Sequence, residues 1–469
     1  MKPLPVISRR RLLQRTACGF GALALHDIAR AASDPLAARL PGAVPRAKRV
    51  IFLFMAGGPS QMDLFDPKEF IAIRHGQKID SPLRKEVTQV GTEKFLALQA
   101  MAPVKPRGES GTMISDLMPH LASVADDLCL LRGMSADNPQ HAGATLQFHT
   151  GTFAEVRPSM GAWVSYGLGT ENANLPSFVS IHGGGVREFG AAFLPAIHQG
   201  TRLAVPLDAK ALPIDNLGNV SENTEVQERR LGFIQKLNRR LLEEVNGDPA
   251  MEGMIGNMEL AARMQLATPG IVDLSKEGRA TLDLYGVGGK DTDKNARACL
   301  LARKLSESGV RFVTINTFLT VFNELTWDIH GSKPFTSIEG MKNIVAPMYD
   351  QAYSALIEDL SQRGMLDDTL VCNVAEFGRT PKVNPAGGRD HWPQCFTCYF
   401  AGGGVQGGRA IGASDPMGGV PADRPADPAT IAATIFHSLG FDLKTHLPGP
   451  AGRPFPLVDS GKHEIHELF

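Results

Sequence analysis

The strongest constraint on the fold is the run Thr369-Leu370-Val371-Cys372-Asn373-Val374-Ala375, which stops at the acid Glu376. A short apolar run with β-branched residues, closed by a polar loop, reads as a buried strand of an α/β sheet. In such sheets functional groups gather at the carboxyl ends of the strands. The loop that follows carries Arg379, Arg389, Asp390 and His391, and Gly387 and Gly388 permit a tight turn there. A carboxylate at a strand end with an Asp-His pair shortly after it suits a metal ion, because oxygen and imidazole ligands must converge on one point. Taken alone, the same loop also reads as a surface segment whose charges pair with each other.

The rest of the chain repeats the strand-then-polar-turn pattern. Residues 49–55 form an apolar run that enters Ala56-Gly57-Gly58-Pro59-Ser60-Gln61-Met62-Asp63. This turn offers Ser60 as a hydroxyl and Asp63 as a ligand, or is a plain turn. Further strands are expected at 127–132, 178–182 and 310–316, with a weaker one near 85–90. Helices are expected at 115–126, from 159, at 223–244, 251–266, 295–308, 341–363 and 430–439. Trp327-Asp328-Ile329-His330-Gly331 places Asp328 and His330 on one side if extended, since side chains alternate with period two. That pair suits a metal ion or a hydrogen-bonded dyad without one. The alternation of strands and helices predicts a three-layer α/β/α sandwich with a mostly parallel central sheet. Residues 49–469 read as a single α/β domain, with a helical insertion at about 216–270 packed on the sheet.

Residues 1–31 read as an export leader. Ser8-Arg9-Arg10-Arg11-Leu12-Leu13-Gln14 fits the twin-arginine pattern, an apolar segment follows, and Ala29-Arg30-Ala31 is a small-x-small cleavage site. The expected partner during export is the twin-arginine translocase, and the destination is periplasmic or extracellular. Residues 32–48, with three prolines, read as a flexible lead. Loss of the leader would take six basic residues and one acid from totals of 48 and 49, leaving a net charge near −6. A mildly acidic chain without basic blocks gives no sign of a nucleic-acid partner. No stretch is apolar for the roughly twenty residues that span a bilayer. Six cysteines in 469 residues do not form a disulfide scaffold. Cys395 and Cys398 read as either a local disulfide or two thiols.

FMAGGPSQMDLFDPK, SMGAWVSYGLG, WDIHG, and EFGRTP followed by GRDHW resemble the twin-arginine-exported family known as domain of unknown function number fifteen hundred and one. The resemblance runs from about residue 49 to the C-terminus. That family is similar in fold to the alkaline phosphatase and sulfatase superfamily, whose members hold divalent ions with Asp and His at strand ends. The resemblance implies metal ligands at Asp328, His330, Glu376 and His391, with Asp63 and Asp390 as further members, Asp390 either a ligand or a partner that orients one. It implies a divalent ion such as zinc, calcium or manganese, and a small-molecule or polysaccharide ester of phosphate or sulfate as substrate. Arg379 would offset developing negative charge. His141 stands nine residues before Thr150-Gly151, where sulfatases carry the cysteine they convert to an aldehyde. Imidazole cannot supply that aldehyde, so His141 is expected to act as nucleophile, base or ligand, or merely to pack. Two other functions fit: an inactive binding or structural protein of the envelope, and a non-haem iron site of two His and a carboxylate.

Replacing Arg9 and Arg10 with lysine should leave unprocessed precursor in the cytoplasm on an immunoblot. Unchanged secretion of that double variant would remove the twin-arginine reading.

Overall fold

The computed structural model describes residues 35–80, 94–183, 185–205, 224–244, 249–318, 320–322, 324–449 and 452–469. The expected leader and the strand near 85–90 lie outside them. Among the described residues, eight strands make the central sheet: β1 (Arg49–Phe54), β2 (Cys129–Met134), β3 (Phe178–Ile181), β4 (Thr201–Leu203), β5 (Phe312–Asn316), β6 (Thr369–Val374), β7 (Phe396–Ala401) and β8 (Arg409–Ile411). Their spatial order is β8-β2-β7-β6-β1-β5-β3-β4. β1 pairs in parallel with β6 and β5, and β3 in parallel with β5 and β4. Only β7 runs against its neighbours β6 and β2. The parallel strands therefore end along one edge, and β7 begins there.

The strands are apolar on both faces, as expected for a sheet covered on both sides. Along β1, Ile51 and Leu53 join one buried cluster while Val50, Phe52 and Phe54 join another. The first cluster takes in residues of α5 (Asp293–Glu307) and α6 (Ala346–Gln362). The second takes in α1 (His141–Thr150), α2 (Met160–Leu168) and α7 (Pro428–Ser438). This is the three-layer sandwich the sequence predicts.

Some expectations are modified. The helix expected at 115–126 is reduced to Pro119–Ser123, because Thr112–Ser115 pairs as a strand with Val104–Arg107 and Pro119 can only open a helix. The insertion consists of α3 (Thr224–Glu244) and α4 (Pro249–Val272) among the described residues. α4 buries Leu260, Met264 and Val272 in the core. The apolar stripe of α3 is not packed on the sheet: Val226, Leu237 and Leu241 are 45%, 50% and 47% exposed. From residue 35 onward the proline-bearing lead is tied down through the main chain. Arg39 N–H donates to Leu168 O at 2.9 Å, Thr170 N–H to Leu36 O at 2.9 Å, and Ala43 N–H to Gly440 O at 2.9 Å.

Two glycines allow the functional loops to touch. Gly57, after β1, has φ +107°, and a Cβ there would lie 2.4 Å from the Asp328 nitrogen. Gly388 is packed so closely that a Cβ would lie 2.2 Å from the His330 carbonyl carbon. Gly76 has a similar positive φ of 79° with nothing within 4 Å of the added Cβ. Gly76→Ala should cost about 1–3 kcal/mol of unfolding free energy from backbone strain alone. Gly57→Ala should cost clearly more, because Asp328 must also move. Equal costs in urea unfolding would show that the contact at Gly57 is not tight.

Candidate metal centre

Five side chains converge at the edge where the parallel strands end. Glu376 follows β6, Asp328 and His330 lie in the segment after β5, and His141 opens α1, which follows β2. His391 arrives from the other direction, just ahead of the antiparallel β7. A two-residue ribbon, Gly378–Arg379 against His391–Trp392, sets its height by pairing Arg379 with His391.

Each of the three imidazoles is fixed through Nδ1. His141 Nδ1 lies 2.8 Å from Glu376 Oε1, His330 Nδ1 lies 3.1 Å from Asp390 Oδ1, and His391 Nδ1 lies 2.8 Å from the Pro139 carbonyl. All three partners only accept, so each Nδ1 carries the proton it donates. The Nε2 atoms then turn inward to one carboxylate. His141 Nε2 is 3.3 Å from Asp328 Oδ2, while His330 Nε2 and His391 Nε2 are 3.1 and 3.3 Å from Asp328 Oδ1. His330 Nε2 and His391 Nε2 are themselves 3.0 Å apart. In neutral rings these inward nitrogens are bare lone pairs facing a carboxylate, which is unfavourable unless a proton or a cation lies between them. His141, Asp328 and His391 offer ligand atoms within 4.8 Å of one another. Among the described residues, His141 Nε2, Asp328 Oδ2 and Glu376 Oε2 are buried without hydrogen-bond partners. That donor set fits a divalent ion held by imidazole and carboxylate.

The charge pattern agrees. Burial alone would raise the Asp328 carboxyl, but the close imidazoles of His141, His330 and His391 and the nearby Arg379 hold it far below the carboxylate range. Burial disfavours a charged His141, yet the close carboxylates of Asp328 and Glu376 prevail and raise it to about 9. His330 is raised by the same balance with Asp328 and Asp390. Burial leaves His391 lowered and therefore neutral. The proton on His141 thus supplies positive charge that an ion would otherwise bring.

Arg379 supports the centre from beneath. It is fully buried and donates to Asp328 Oδ1 at 2.5 Å, Gly58 O at 3.0 Å, Arg389 O at 3.1 Å, and Gly57 O. These protein acceptors engage its guanidinium, so it balances Asp328 and does not extend towards a ligand. Asn384 orients Asp390, donating to its Oδ1 at 3.0 Å and to His330 O at 3.2 Å.

The structure does not bring Asp63 or Ser60 into this group. Asp63 is fully buried; it accepts from Arg389 Nε at 2.9 Å, from Met101 N–H at 3.1 Å and from the Ser60 hydroxyl. Its pairing with a buried guanidinium explains the placement, since an isolated buried carboxylate is costly. Glu376 and Asp390 hold His141 and His330 through Nδ1, and Glu376 keeps its second oxygen, Oε2, buried beside the centre. Cys395 and Cys398 are buried free thiols, as are the other three cysteines of the described residues.

Residues 47–469 match the family described as "Protein of unknown function (DUF1501)". The chain belongs to this family. No match emerged among curated proteins. Among solved structures, the chain is similar to the PsFucS1 sulfatase from Pseudoalteromonas sp., at 12% identity and TM-score 0.35, covering 84% of this chain and 68% of that one. It is similar to the lipoteichoic acid synthase LtaP from Listeria monocytogenes, at 11% identity and TM-score 0.36, covering 87% and 76%. It is also similar to the phosphonate monoester hydrolase SpPMH from Silicibacter pomeroyi, at 11% identity and TM-score 0.29, covering 69% of each chain. Similarity of this degree assigns neither a reaction nor a ligand to the family member described here.

Arg379→Met should cost about 3–5 kcal/mol of stability, because it leaves the Asp328 charge buried without its partner. Urea unfolding of the ion-free protein measures this. A loss below about 1 kcal/mol, as for an exposed pair, would show that Asp328 is compensated by the histidines alone.

Proposed function

We propose that this family member is an exported, metal-dependent hydrolase of phosphate or sulfate esters of a small molecule or polysaccharide. The observation that carries the reading is the shared geometry of His141, His330 and His391. Each is tied to an acceptor through Nδ1 and turned to Asp328 through Nε2. Orienting partners on the outer nitrogen are characteristic of imidazoles that ligate metal.

His141, Asp328 and His391 would hold the ion, with His330 beside them. A bound divalent ion would polarise an ester oxygen and offset its charge. Glu376 keeps the proton on His141 Nδ1, leaving Nε2 as the inward atom. Asp390 does the same for His330. Arg379 acts as a positioning residue, holding Asp328 and the Gly57-Gly58 turn against each other. Carboxylates form the floor, with Asp328 and Glu376 side chains 0% and 1% exposed, and imidazoles form the rim at 18–21%. An ester would therefore approach from the imidazole side. With Ser60 bonded to Asp63, water is the attacking group this arrangement favours.

A second reading, a non-catalytic binding protein of the envelope, draws on the same observation about Ser60 and on His141 standing where a nucleophile is expected. Metal analysis separates the two when paired with a panel of phosphate and sulfate esters. The expected outcome is about one zinc, manganese or calcium per chain, hydrolysis of at least one ester, and loss of both in His391→Ala. His141→Ala should lower activity by at least roughly 100-fold, the scale of losing a positioned catalytic group. A wild type that binds metal and hydrolyses nothing would select the binding protein. A wild type that takes up no metal would overturn the site.

A further inference from the structure

Beside the metal centre lies a pocket of about 420 Å³ at the ends of β3, β4 and β5. His141 and Glu376 form its inner wall, Phe54 and Phe318 give it apolar surface, and His182, Glu188, Arg202 and Asn316 supply the other polar groups. None of these last four enters the ligand cluster.

His182 is the informative member. It follows β3 with φ 62°, a left-handed conformation uncommon outside glycine, though histidine adopts it more often than most residues. It is only 5% exposed, and its Nε2 has no hydrogen-bond partner among the described residues. Strain in a buried residue persists only where the surroundings enforce it, and such residues cluster at ligand sites. Here the enforcement is visible. Asn316 Nδ2 donates to Gly183 O at 2.9 Å, and the Ser180 hydroxyl donates to the same oxygen at 2.6 Å. Burial, with Lys294 nearby, lowers His182 to about 4, so the ring is neutral. Arg202 enters from β4, where it pairs in register with Ser180. Its guanidinium lies over the Phe189 ring at 5.4 Å and against Gly183, where a Cβ would come within 2.8 Å of it.

A neutral imidazole, a carboxylate, a guanidinium and a carboxamide on two aromatic walls suit hydroxyl groups. A hydroxyl can donate to Glu188 and accept from Arg202 at once. A second anionic group would face Glu188 and Glu376, and an apolar alcohol would leave the buried His182 Nε2 unpaired. We propose that this pocket receives the alcohol part of the ester as an uncharged polyhydroxylated group, and that His182 is a specificity-determining residue that hydrogen-bonds one of its hydroxyls. The assignment rests on the hydrolase reading above and names the substrate class for it.

The experiment compares glucose 6-phosphate and glucose 6-sulfate with the matching p-nitrophenyl esters, on the full chain loaded with metal. His182→Gly removes the ring while accepting the left-handed backbone, and thermal unfolding checks that the variant is folded at the assay temperature. It should raise KM for the glucose esters relative to the p-nitrophenyl esters by roughly 3- to 10-fold, the scale of one lost neutral hydrogen bond. His182→Asn, which also tolerates φ > 0, should recover part of that ratio. An unchanged ratio would overturn the role of His182, whether or not overall activity falls. If the wild type hydrolyses p-nitrophenyl esters and neither sugar ester, the pocket assignment fails and the hydrolase reading stands. If no ester is hydrolysed, saturation-transfer NMR with glucose, galactose and mannose decides. Sugar binding lost in His182→Gly supports the pocket although the hydrolase reading has failed, and absence of binding overturns the pocket.

Discussion

The buried guanidinium of Arg379 is the interaction on which the centre depends. Its acceptors come from separate parts of the chain: the turn after β1, Asp328 after β5, and the carbonyl of Arg389 ahead of β7. A planar group with donors fixed in a fork can satisfy such a set only if the acceptors already stand in the right places. Arg379 therefore does more than neutralise one carboxylate. It converts loops that would otherwise move independently into one floor, and the imidazoles are mounted on that floor.

A second buried pair extends the same framework. Arg389 reaches Asp63 and also donates to the Thr380 and Pro381 carbonyls. The loop between Glu376 and His391 thus has a guanidinium near each end, both turned inward. Its mixture of charges, ambiguous in isolation, divides by depth. The arginines are internal supports, whereas His391 and Asp390 face the open side.

The helices were legible from their 3.6-residue pattern, and the sheet from short apolar runs closed by polar turns. β1, β5 and β6 carry such runs, as strands of a sheet covered on both faces do. The pairing of Asp328 with His330 was legible from alternation. The division of labour among the carboxylates was legible in part. Asp390 was readable as a partner that orients a ligand, and it holds His330 Nδ1; that Glu376 holds His141 Nδ1 was not, because ring orientation is set by contacts far away in sequence. Asp63 is the same case, its destiny fixed by Arg389, 326 residues on. The pocket was invisible for a related reason. His182, Glu188, Arg202 and Asn316 come from separate segments with no shared spacing, and only the φ of His182 singles it out. The stripe on α3 shows the opposite limit: its period was clear, but a pattern does not say what covers it.

The reversed direction of β7 has a consequence for how the molecule tolerates change. Because β6 ends and β7 begins at the same edge, the intervening loop leaves and returns to one place. Ribbon pairing clamps its base, and Asn384 closes its tip by accepting from the amides of Ala386 and Gly388. Pro385, Ala386 and Gly387 project beyond that closure and are exposed. The tip is nevertheless tied to the centre, because Asn384 also donates to Asp390 Oδ1 and His330 O, and Ala386 O packs against Gly331. A peptide grafted there would be displayed near the centre and would reach the His330 ring through Asp390, so the tip is a handle on the site as well as a place for a tag.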